Sequence, residues 1–138
     1  MLRKILAVLS GFVSGMLVIG LVEALGHKLF PIPQEITQTA EMQDTEALFA
    51  LISPEILLFV LLAYIIGSFI GGFIASLIGK QTMLAVISGS VLMLGGVINL
   101  FMIPHPIWFV LVSMLVYIPF ALIGGLLAKK VMKHSFPK

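Results

Sequence analysis

The chain has 138 residues, 60% of them hydrophobic and 10% charged, with a net charge of +2 and a mean hydropathy of +1.20. A soluble domain carries about a quarter of its residues charged, so the composition excludes a water-soluble globule and points to a single all-α integral membrane domain over 1–138. The absence of cysteine excludes a disulfide framework, a thiol nucleophile and a cysteine metal site.

Four runs are long enough to cross a bilayer, which takes about 20 residues. The first covers about 5–25. It follows Arg3 and Lys4, but it is too long for a signal peptide, contains Glu23, and lacks an A-x-A cleavage site. A polar, acidic segment over 28–53 comes next. Within it Asp44 can cap a short helix, "TEALFALI", that either rests on the membrane surface or packs as an ordinary loop. The second run, about 54–79, opens on Ser53-Pro54-Glu55: a serine cap, a proline at the first helical position and an acid in the first turn. The third covers about 82–103. Pro104 and Pro106 then break the chain before the fourth, about 107–128.

Seven of the eight basic residues (Arg3, Lys4, Lys80, Lys129, Lys130, Lys133 and Lys138) fall on one side of this four-span topology, and all six acids lie between Glu23 and Glu55. The positive-inside rule places both termini in the cytoplasm of a bacterial inner membrane, with 28–53 outside. The lysines then meet anionic lipid, and nothing calls for nucleic acid.

Small residues recur along the spans. In the second, Ala63, Gly67, Gly71, Ala75 and Gly79 stand at unbroken i+4 spacing, beside a parallel row of Ser68, Gly72 and Ser76. The first span carries Ala7, Gly11 and Gly15, and the fourth Ala121, Gly124 and Gly125. Lipid tails leave helices little apolar surface to hide, so helices associate where small residues let backbones approach. These rows are helix-packing faces, either within the chain or toward a second copy or another membrane protein.

The spans also match one another. "YIIGSFIGGFIA" from Tyr64 aligns without a gap to "YIPFALIGGLLA" from Tyr117, and Gly20 and Glu23 align to Gly96 and Asn99, each ahead of a P-x-P. This reads as a four-helix bundle of two tandem helical hairpins of the same topology, related by an axis along the membrane normal.

Polar residues near the outer ends of the spans are the candidate ligand-binding set. They are Glu23, His27 one turn further, Asn99 at the matching position of the third span, and His105 in the Pro104–Pro106 turn. Ionisable residues in spans mark functional sites by default, but each has a structural alternative: an i+4 pair, interhelical glue, or a turn residue. Trp108 fits an interface anchor. Glu23, His27 and His105 could supply three metal ligands only if the fold brought them together, so no metal, cofactor or catalytic residue is assigned. No hydrolase, phosphate-binding or dinucleotide-binding motif occurs.

The E-x-x-x-H end of the first span, the P-x-P after it, and Pro104-His105-Pro106-x-Trp108-Phe109 resemble a set of small four-span bacterial membrane proteins. The resemblance implies topology and carries no activity. Glu23 lies too late in its span for the buried glutamate of small multidrug transporters, and the pattern of the small fluoride channels is absent. Two functions follow: an interaction or structural membrane component held by small-residue faces, or a small transporter or channel with a proton, cation or polar-ligand site at Glu23.

Overall fold

The computed structural model describes residues 1–31, 52–102 and 105–135. The "TEALFALI" segment before Ile52, Pro33, Pro104 and Lys138 lie outside them. The described residues form four α-helices and no strand: α1 Leu2–Leu29, α2 Pro54–Gly79, α3 Met83–Met102 and α4 Ile107–Ser135.

α1, α2 and α4 are long and apolar enough to cross a membrane. The apolar stretch of α3, Met83–Asn99, is shorter, so three helices rather than four meet that measure. α1 and α4 outrun their expected ends and continue through His27 and Lys28, and through Lys129, Lys130 and Lys133. Continuing the helix keeps the backbone hydrogen-bonded as it leaves the apolar region. α2 starts at Pro54 as expected, but the Ser53 hydroxyl makes no cap bond to the backbone and turns to the Glu55 carboxylate. α2 ends on Lys80, whose φ of 57° is the one left-handed backbone among the described non-glycine residues.

α2 is the centre of the bundle, and its two small rows face different neighbours. The first row lies on α1. A Cβ added at Gly71 would stand 2.7 Å from the Gly11 carbonyl oxygen, and one at Gly67 would stand 2.8 Å from that of Gly15. The second row lies on α4. A Cβ at Gly72 would collide with the Ala121 backbone, one at Gly124 with the Phe69 carbonyl, and one at Gly125 would come 2.7 Å from the Ser76 hydroxyl oxygen. Ala63 and Ala75 are fully buried on the first row, and Gly79 is closed in by Leu84 and Ala7. Where backbones meet this closely, a side chain larger than hydrogen has no room.

These contacts fix directions. α1 and α2 are antiparallel, since Gly11 meets Gly71 and Gly15 meets Gly67. α1 and α3 are parallel, Gly11 beside Ser88 and Gly15 beside Leu92. α2 and α4 are also parallel, with Tyr64 stacked on Tyr117 (ring centroids 5.2 Å apart) and Gly72 on Ala121. One end of the bundle therefore gathers basic residues. Arg3 donates to the Ile78 carbonyl at 2.8 Å, and Lys80 and Lys129 line one cleft. Glu23, His27, His105 and Trp108 lie toward the other end.

The hairpins are not exchanged by a strict two-fold. α3 packs on α2 as well as on α4, but α1 makes no contact with α4. Ser68, Ser76, Ser88 and Ser113 are fully buried, and their hydroxyls have no hydrogen-bond partner within the described chain.

Candidate functional site

A cavity of about 250 Å³ opens near the acidic end of the bundle, and all four helices contribute to it. α1 supplies Met16, Ile19 and Glu23; α3 supplies Leu92, Gly95, Gly96 and Asn99. α2 and α4 supply one residue each, Tyr64 and Tyr117. The lining joins an acid, an amide and two phenols to an apolar floor. The volume lies below the ~300–1,000 Å³ of drug-sized pockets, and suits a small solute or a single head group.

The helix register places each group. α1 and α3 run parallel with Gly15 level with Leu92, which brings Glu23 and Asn99 to nearly the same depth. Both are then held on the side where the two helices face each other. Glu23 is half-buried and Asn99 is exposed at the rim. The Asn99 side chain is hydrogen-bonded to the Tyr64 hydroxyl. Tyr64 and Tyr117 are 3% and 2% exposed, so their rings form an inner wall and only their hydroxyl ends reach polar company. Glu23 is close enough to act electrostatically on both phenols. Gly96 makes room for Tyr117: a Cβ there would lie 2.5 Å from the hydroxyl oxygen. Leu92, 1% exposed, closes the floor against Gly15 and Gly71.

Of the four candidate ligand residues, Glu23 and Asn99 share this cavity and the histidines do not line it. His27 is exposed, and with Glu23, Phe30 and Phe59 it borders a separate cleft of about 20 Å³ on the other side of the carboxylate. His105 is half-buried and stacks on Phe109 with centroids 5.2 Å apart. Phe109 in turn lies 6.3 Å from Tyr64, and His105 is not among the cavity-lining residues. Among the described residues no three histidine or acidic side chains are grouped to hold a metal ion, and Glu23, His27 and His105 do not make one site.

Sequence patterning assigns Tyr117 only an ordinary membrane role and Tyr64 none, and gives no reason to single out Leu92 or Gly95. A signal for the tyrosines is nevertheless present, because they occupy the same position in the two matched segments. Parallel helices that cross with matched register bring matched residues together, and the stacked pair is the result. Comparison with known protein families, with curated proteins and with solved structures finds no match for the chain.

Proposed function

We propose that the chain is a four-span protein of the bacterial cytoplasmic membrane, with both termini inside, that binds a small cationic solute in the Glu23–Asn99 cavity as a small transporter or channel. The observation that carries the reading is the convergence of Glu23, Asn99, Tyr64 and Tyr117, one from each helix, on one cavity. A carboxylate, an amide oxygen and two phenolic oxygens are acceptors for a cation's N–H groups, and the tyrosine rings add a polarisable wall. His27 is the titratable neighbour that acts on Glu23, and it stands outside the cavity, leaving the carboxylate as the charge a ligand meets there.

The sequence favours a structural or interaction component, which is the second reading here. It rested on the small-residue rows, and those rows already meet helices of the same chain. Four spans remain in keeping with α3: its 20 residues at ~1.5 Å each reach about 30 Å, the thickness of a bilayer core. The gathering of Arg3, Lys80 and Lys129 at one end supports the orientation. The Tyr64–Tyr117 stack supports descent from a duplicated hairpin, even though α1 and α3 have since taken different places.

The test is thermal unfolding in detergent with methylammonium chloride, against sodium chloride at matched ionic strength. Methylammonium should raise the midpoint saturably in the wild-type chain and not in Glu23→Gln. An equal response in both proteins, or none in either, overturns the binding reading.

A further inference from the structure

Two glycines have no packing reason to be glycine. Of the thirteen, eleven would bring an added Cβ within 4 Å of another helix, whereas Gly20 and Gly95 meet nothing within that distance. Glycine weakens a helix, so its place must be explained by something other than contact. Gly95 lines the cavity where α1 and α3 meet, and on α1 Gly20 stands one turn beyond Met16, which lines it too. With Gly15 level with Leu92, Gly20 and Gly95 fall within about one turn of each other in depth, beside Met16 and Asn99. Met16 is 45% exposed and Asn99 is exposed, although both line the cavity. α1 makes no contact with α4, so among the described residues no other helix closes this side. The missing side chains leave this side of the cavity uncovered near the level of the carboxylate, among exposed apolar residues of α1 and α3.

We infer that the cavity takes its ligand sideways from the bilayer, and that the ligand is an amphiphile with a primary ammonium head. This rests on the cation-binding reading above and adds the route and the ligand class. The head passes between Gly20 and Gly95 to reach Glu23 and Asn99. A primary ammonium offers three N–H donors and no acceptor, which suits a carboxylate, an amide oxygen and a phenol better than a quaternary head does. The tail stays outside, along Leu94 and Ile98 of α3, each more than half exposed. An anionic head group would meet the like charge of Glu23 and be rejected.

The test places the full chain in phosphatidylcholine nanodiscs and follows its thermal midpoint with a few mole per cent of dodecylammonium or dodecanol in the lipid, or methylammonium in the water. The proteins are wild type, Glu23→Gln and Gly20→Leu. Gly20 does not line the cavity, and its Cβ points into open space, so leucine there covers the open side without filling the site or disturbing a contact. Dodecylammonium should raise the wild-type midpoint by several degrees and dodecanol should not. Glu23→Gln should lose the response to both amines. Gly20→Leu should lose the response to dodecylammonium while keeping that to methylammonium. A Gly20→Leu protein that answers dodecylammonium as the wild type does overturns the lateral route, and equal effects of dodecylammonium and dodecanol overturn the ammonium head. In both cases a wild-type methylammonium response lost in Glu23→Gln leaves the cation site standing. No wild-type response to either amine overturns the route and the site together.

Discussion

A methyl group placed on Gly96 would lie 2.5 Å from the Tyr117 hydroxyl oxygen, and one placed on Gly95 would meet nothing within 4 Å. The two glycines are neighbours in sequence and turn to different sides of α3, one toward α4 and one toward the seam with α1. Gly96→Ala should therefore push Tyr117 from its place against Tyr64 and destabilise the protein by about 1–3 kcal/mol, as overpacking does. Gly95→Ala should leave the fold intact and gain up to about 1 kcal/mol from helix propensity. Thermal unfolding of both variants in one detergent checks the order, and equal losses would mean that Gly95 is packed. This distinction was not legible in "LGGVINL", because the orientation of α3 around its own axis depends on partners the local sequence does not name. The shared depth of Glu23 and Asn99 was legible, because aligning the two hairpins residue by residue already sets them level. The separation of His27 and His105 from that pair was not. Depth puts them near one surface, but only packing reveals that His105 stacks on Phe109 and that neither histidine lines the cavity.

At the scale of the element, α2 illustrates what a spacing pattern can and cannot specify. Its i+4 row of Ala63, Gly67, Gly71, Ala75 and Gly79 reads as a groove from sequence alone, and the adjoining Ser68, Gly72 and Ser76 as a second. The pattern does not say which helix fills each. In the structure the backbone of α1 occupies the first and that of α4 the second. Gly71→Leu should separate α1 from α2, since its added carbons start 2.7 Å from the Gly11 carbonyl oxygen. Loss of the folded species, or a drop of several degrees in its unfolding midpoint in detergent, is expected. Leu58→Ala, at a site 56% exposed, should change the midpoint little, and comparable losses in the two variants would place the row toward lipid. The end of α2 is set by the same packing. Gly79 is held by Leu84 and Ala7, so the left-handed turn falls one residue later on Lys80. There a lysine accepts an unfavourable backbone and carries a charge at the basic end of the bundle.

For the whole molecule, the sequence indicated a helical membrane bundle and its polarity of charge, because both follow from composition and from where the lysines fall. It overstated the symmetry, since matched segments say nothing about how hairpins dock, and α1 stands away from α4 where α3 meets α2. The orientation has a direct check. A cysteine replacing exposed Lys28 should react with an impermeant thiol reagent in intact cells, and one replacing exposed Lys133 should react only after lysis. The reverse pattern would invert the topology. The isolation of α1 from α4 also has a mechanical side. α2, α3 and α4 form a block in which each helix touches the other two, while α1 packs on α2 and α3 only, through the Gly11–Gly71 and Gly15–Gly67 contacts, through Ile19 against Gly67 and Phe59 against Gly26, and through Leu84, Ser88 and Leu92. A displacement of α1 against that block would move Glu23. It would leave the stacked tyrosines where they are, since both belong to the block. The carboxylate and the tyrosine wall of the cavity are thus carried by different parts of the bundle.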